Sequence, residues 1–151
     1  MNPSSQKHMT NRSMLTSTII PVLVYDDVSQ AVSWLCTTFG FVEHLRIGNH
    51  RSQLRFGDGS LVVSERLRSD EAEVASAAFE RGHSLLVRVQ DIDRHYEHAR
   101  AGGASILSTP TTYPYGERQY SVEDLGGHRW TFSQSIADVD PEEWGGRIIE
   151  P

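Results

Sequence analysis

The chain has a single cysteine, Cys36, so no intrachain disulfide staples it. Cys36 stands within Trp34-Leu35-Cys36-Thr37-Thr38-Phe39, an apolar helical setting rather than the electropositive one that activates a thiol, and it is not a candidate nucleophile. No apolar run approaches the roughly 20 residues of a membrane span, and the first residues lack the apolar centre of a signal peptide. These absences predict a cytoplasmic protein with no membrane partner. Runs of Lys or Arg are missing too. Fourteen basic residues against 20 acidic ones leave a net charge of −6, which excludes the basic footprint that a nucleic-acid partner requires.

What is present is one domain's worth of chain, 151 residues, written twice in the same pattern. Residues 1–16 are polar, without periodicity, and are expected to form a disordered tail; Met14 is an alternative start. Ser17 to Tyr25 is rich in β-branched residues and reads as a strand, with Pro21 arguing for an edge or for a position whose N–H is not needed. Asp26 and Asp27 offer N-caps to a helix from Val28 to Phe39 that ends at Gly40. Three strands follow, Phe41 to Ile47, His50 to Phe56 and Ser60 to Ser64, the last two joined by Gly57-Asp58-Gly59. After a linker at 66–82, with a helical turn expected around Glu71 to Glu80, the order repeats. His83 to Val89 is a strand, Asp91 caps a helix from Ile92 to Ala101, and strands are expected over Ser105 to Thr109, Glu117 to Glu123 and His128 to Ser133.

The expected architecture is therefore α+β, a single domain over 17–145 made of two βαβββ modules, 17–65 and 83–134. The junctions Val24-Tyr25-Asp26 and Val89-Gln90-Asp91 lie sixty-five residues apart, and Gly59 and Gly127 sixty-eight. A capped turn at 138–145 closes the chain: Asp140-Pro141-Glu142-Glu143 has an N-cap, a proline at the first helical position and Glu at N3.

Two stretches carry a resemblance. Ala31-Val32-Ser33-Trp34-Leu35-Cys36-Thr37-Thr38-Phe39-Gly40-Phe41 is similar to the first-helix signature of the vicinal oxygen chelate (VOC) superfamily, which includes glyoxalase I, fosfomycin and bleomycin resistance proteins and extradiol dioxygenases. Asp124-Leu125-Gly126-Gly127-His128-Arg129-Trp130 resembles the Asp-Pro-x-Gly-His-x-Trp turn of its closing hairpin, with Leu125 in place of proline. Together with Tyr115-Gly116-Glu117-Arg118-Gln119-Tyr120 and the tail Asp138 to Gly145, these resemble the glyoxalase/bleomycin-resistance-like subgroup over about Thr18 to Gly145. The resemblance implies a half-open β-barrel of eight strands around a cavity, frequently in a homodimer. It also implies a divalent metal held by His, Gln or Glu at four inward positions.

Those positions, counted from the strand–helix junctions and the hairpin glycines, fall here on Ile19, Ser84, Val63 and Thr131. Two aliphatic side chains and two hydroxyls do not make a divalent-metal site, so no metal or other cofactor is expected. His83 and Glu65 are the nearest substitutes for an atypical site, but His83 has the wrong strand parity and Glu65 lies at a strand end. Period-2 alternation fills the cavity instead with Ile19, Pro21, Leu23, Leu61, Val63 and Leu86, and with the candidate ligand-binding residues Gln53, Arg55, Arg88, Gln119, Ser121, Arg129 and Thr131. Tyr115, with Tyr113 on the same loop, stands ready to close over a ligand, while His95 and His98 are placed on the exposed side of the second helix. This is the composition of a small-molecule site, and it favours a protein that binds a small organic molecule without a metal, of the sequestration or resistance type. The alternatives are a VOC-type lyase, isomerase or dioxygenase using an atypical metal site or metal-free acid/base chemistry, and a domain that regulates or assembles with other proteins.

Overall fold

The computed structural model describes residues 9–66 and 82–149. The helical turn expected around Glu71 to Glu80 lies outside the described residues. Both modules form as expected. The first consists of β1 (Val22–Tyr25), α1 (Val28–Trp34), β2 (Val42–Ile47), β3 (Arg51–Phe56) and β4 (Gly59–Glu65); the second of β5 (Leu85–Arg88), α2 (Ile92–Ala101), β6 (Ser105–Thr112), β7 (Glu117–Glu123) and β8 (Arg129–Ser135). Each module is one four-stranded sheet, ordered β1-β4-β3-β2 and β5-β8-β7-β6, with its opening strand parallel to its closing strand and the other pairings antiparallel. A 3₁₀ turn, Pro141–Trp144, follows with Asp140 as its N-cap, accepting from the N–H of Glu142 at the second position rather than from Glu143 as a full capping box would.

The first helix does not run as one α-helix to Phe39. After Trp34 it widens into a π-helical turn, Leu35–Phe39, and stops where Gly40 takes φ 91°. The wide turn leaves carbonyls without partners in their own helix, and two of them are met from the other module. His98 Nε2 donates to Thr37 O at 2.8 Å and His95 Nε2 donates to Phe39 O at 3.0 Å. The expectation that both histidines sit on the outer side of α2 holds for His98 and fails for His95. His98 is exposed but bonded, and His95 points inward, where its Nδ1 accepts from Tyr120 Oη at 2.6 Å.

One core serves both modules. Leu23, Tyr25, Leu35, Phe39, Leu54 and Val63 from the first pack in one cluster with Ile92, Ala99, Tyr120, Val122, Trp130 and Phe132 from the second. Phe39 is its centre, with Trp34, Trp130 and Phe132 each edge-on to its ring at 4.8–5.3 Å between centroids.

Candidate functional site

Strand register divides each sheet into a face toward the helices and an opposite face. In the second sheet Trp130, Phe132, Tyr120 and Val122 pack inward. Opposite them lie Arg129, Thr131 and Ser133 of β8, with Glu123, Ser121 and Gln119 directly across on β7 and Leu86 and Arg88 on β5. The expected parity holds for every second-module residue in the candidate set. On this face the side chains form a connected ladder. Ser121 Oγ and Thr131 Oγ1 are 2.9 Å apart, Gln119 Nε2 donates to Ser133 Oγ at 3.0 Å, and Ser133 Oγ donates to Glu117 Oε1 at 2.8 Å. Tyr115 Oη reaches Gln119 Oε1 at 3.4 Å. Ser121, Gln119, Glu117 and Thr131 are all half-buried, which leaves the ladder accessible from one side.

At its end stands an aromatic group that the sequence only half disclosed. Tyr113 and Tyr115 stack at 5.4 Å with 7° between planes, and Trp144 leans on Tyr115 at 5.5 Å. Trp144 is brought there by Gly116, whose carbonyl accepts from both Ile136 N and Ala137 N and so ties the C-terminal segment to the Tyr113–Gly116 turn. Glu117, Ser133 and Trp144 are the members that pattern reading missed. Glu117 and Ser133 share the parity of Gln119 and Thr131, so alternation carried one step further along β7 and β8 finds them.

In the first sheet the expected parity fails for the apolar wall. Gln53 pairs with Val62 and Arg55 with Ser60, so these four share a face, whereas Leu23, Leu61 and Val63 lie on the other and are buried beneath the helices. The cause is a one-residue slip at the first junction. Asp27, not Asp26, accepts from the helix (Gln30 N, 3.0 Å), as Asp91 does in the second module (Arg94 N, 3.2 Å). The repeat is therefore sixty-four residues at this point, Asp91 less Asp27. In the same frame Leu23–Val63 matches Val87–Phe132 as the neighbouring pair under the helices. The first-module equivalents of Ser84 and Thr131 become Ile20 and Val62 instead of Ile19 and Val63, and neither has a donor atom for a metal. Among the described residues no three His, Cys, Asp or Glu side chains are grouped to hold a metal ion. His83 borders the cavity described next and Glu65 ends β4. The donor set does not fit the divalent metal that the resemblance implies.

The free edges of β1 and β5 border a cleft of about 1210 Å³ between the modules. Ile19, Pro21, Leu23 and Leu61 line it together with Leu86, Arg88, Arg94 and His95, so Leu23 and Leu61 reach a cavity although their parity is not that of Gln53 and Arg55. Burial holds the His95 imidazole below the ordinary histidine pKa. Its bonds agree, because Phe39 O accepts only, so Nε2 carries the proton and Nδ1 is left as the acceptor of a neutral ring. At the opposite end of β1 the modules are locked. Asp124 accepts from Tyr25 Oη and Trp130 Nε1 on one oxygen and from the N–H groups of Gly126 and His128 on the other, and His128 Nε2 donates to Val24 O. The Asp-x-x-Gly-His-x-Trp turn is thus the joint between modules.

The candidate residues accordingly fall into two groups. Gln119, Ser121, Arg129 and Thr131 share the ladder face, Tyr115 reaches it through Gln119, and Arg88 adjoins them opposite Ser133. Gln53 and Arg55 lie together on the corresponding face of the first sheet.

The glyoxalase/bleomycin resistance protein/dioxygenase superfamily model matches residues 17–132. The chain belongs to this superfamily. Among solved structures, TioX from Micromonospora sp. ML1 is 31% identical, with 80% of this chain and 99% of TioX covered at a TM-score of 0.64. Lactoylglutathione lyase from Agrobacterium tumefaciens shares the fold at 16% identity and a TM-score of 0.60, covering 87% of this chain and 98% of that one. An uncharacterized protein of Mycobacterium bovis is 21% identical over 131 residues, 82% of this chain and 86% of the relative. The α+β fold of paired βαβββ modules is that of the superfamily, and among the described residues no helix is long and apolar enough to cross a membrane.

Proposed function

We propose that this superfamily member binds a small organic molecule between the helix-free faces of its sheets and sequesters it without a metal ion. The observation that carries the reading is the Ser121–Thr131 and Gln119–Ser133–Glu117 ladder. It is a half-exposed row of hydroxyls, an amide and a carboxylate where a metal-dependent relative would place a ligand at Thr131. Such a row orients a ligand by directional hydrogen bonds while the Tyr113–Tyr115–Trp144 rings supply apolar contact. Arg88 and Arg129 flank the row, and Gln53 and Arg55 contribute from the first sheet. The name of the superfamily includes bleomycin resistance proteins beside glyoxalases and dioxygenases.

The setting proposed is cytoplasmic, in a homodimer whose second chain roofs the open ladder; sedimentation equilibrium tests the dimer. The function is tested on protein purified without chelator. Elemental analysis is expected to find far less than one Zn, Ni, Mn or Fe per chain, and native mass spectrometry to find a co-purified organic molecule that Gln119→Leu releases. One tightly held metal per chain, lost together with activity on glutathione hemithioacetals or catechols when His83 is replaced, would sink the reading.

A further inference from the structure

The two helix-free faces differ in a way that their common pattern does not foretell. The first sheet presents Val22, Val42, Ile47 and Val62 with Arg51, Gln53, Arg55, Ser60 and Ser64. Val22, Val42 and Ile47 are 47%, 55% and 40% exposed, high values for aliphatic side chains gathered on one face. The carboxylates of its strands, Glu43 and Glu65, both have the opposite parity; Glu43 pairs with Leu54 and Glu65 with Tyr25. Arg51 and Arg55 therefore stand on this face without an ion-pair partner among the described residues, in a chain whose net charge is −6. An apolar bed with two unneutralised guanidiniums and no carboxylate fits an organic anion with an apolar body.

Part of that bed is covered by the chain itself. Gln53 Nε2 donates to Ser13 O at 2.9 Å, and Ser17 Oγ donates to Asp58 O and meets Ser60 Oγ, each at 2.7 Å. Leu15, between these ties, is only 8% exposed, although Met9 to Met14 and Thr16 are all exposed. The cover fits imperfectly. Gln53 is 4% exposed, yet its Oε1 has no hydrogen-bond partner among the described residues, a cost that a bound molecule with a donor would remove.

We propose that the helix-free face of the first sheet is the docking place of a small organic anion, and that residues Ser13 to Ser17 are a built-in cover which the anion displaces. The proposal rests on the small-molecule reading above and adds to it a ligand class, a place and a competitor. Because the cover and the ligand exclude each other, apparent affinity is reduced by the fraction of molecules in which the cover is down.

The probe is anilinonaphthalene sulfonate, an aromatic anion with an apolar body and an N–H donor, titrated by fluorescence into the full chain and into its Leu15→Ser variant. Leu15→Ser is expected to tighten binding roughly fivefold to tenfold by raising the open fraction. Arg55→Gln in that background is expected to loosen it by on the order of fivefold. Saturating dye is expected to speed tryptic cleavage after Arg12, just before the cover. Equal affinity for the native chain and Leu15→Ser overturns the cover alone. Tighter binding that ignores Arg55→Gln overturns the anion site. Self-association of Leu15→Ser beyond that of the native chain, with no dye bound, overturns both parts in favour of a protein interface, and absence of binding by any form removes the small-molecule reading with them.

Discussion

Tyr25 Oη donates to Asp124 Oδ2 at 2.6 Å across ninety-nine residues of sequence, from the end of the first module's opening strand to the closing hairpin of the second. Burial, and then the charge and hydrogen bond of Asp124, push the tyrosine pKa far above its usual value, which keeps the hydroxyl a donor to the carboxylate. Trp130 Nε1 shares the same carboxylate oxygen at 3.0 Å, and Gly126 is pressed so close to Tyr25 that a Cβ there would lie 2.7 Å from the ring. The family turn is kept compact by what it must grip.

Tyr25→Phe removes one donor and leaves the carboxylate its other three. It is expected to lower stability by about 1–3 kcal/mol, read as a lower urea midpoint at an unchanged slope. Asp124→Ala should cost more, because it strands a buried hydroxyl, an indole N–H and two backbone N–H groups at once.

The hairpin was legible because Gly-Gly-His-Arg-Trp fixes both a turn and a parity, and the alternation counted from it along β7 and β8 is the one observed. The first module gave no such anchor. Asp26 and Asp27 are adjacent caps of equal quality, and only the fold decides that Asp27 takes the Gln30 N–H, which shifts Leu23, Leu61 and Val63 to the buried face. His95 was misplaced for a related reason. Helical spacing measures apolarity, and a polar histidine can still face inward when both of its nitrogens find partners, as His95 does with Tyr120 and Phe39 O. Trp144 lay beyond any local pattern, because its neighbour Tyr115 is twenty-nine residues away and reached only through the Gly116 contacts.

His95 predicts a pH dependence. Its folded pKa is lowered, burial being the main cause, so between that value and the ordinary histidine value of about 6.5 the unfolded chain binds the extra proton. Stability from this group is therefore complete above about pH 6.5 and declines as the pH falls through the window below it. Urea midpoints measured from about pH 7.5 down to about pH 5.5 should fall less steeply for His95→Gln than for the native chain. A parallel pair of curves would mean that other groups set the slope.

Gly116 is the position where a single methyl group should undo the aromatic end of the site. Its φ of 83° already strains any other residue, and a Cβ would lie 2.3 Å from Ala137 O, a backbone atom of the very segment its carbonyl holds. Gly116→Ala must either twist the Tyr113–Gly116 turn or release residues 136–144, and both separate Trp144 from Tyr115. The expected cost is about 1–3 kcal/mol of stability, with greater iodide quenching of tryptophan fluorescence as Trp144 moves into solvent. Trp144→Ala distinguishes the site from the scaffold. With the ring half exposed and outside the shared core, it should shift the urea midpoint little while weakening capture of the co-purified molecule by roughly tenfold, the loss of about 1.4 kcal/mol of contact. Unchanged capture in both variants would confine Trp144 to holding down the C-terminal segment and leave Gln119, Ser121 and Thr131 to bind without it.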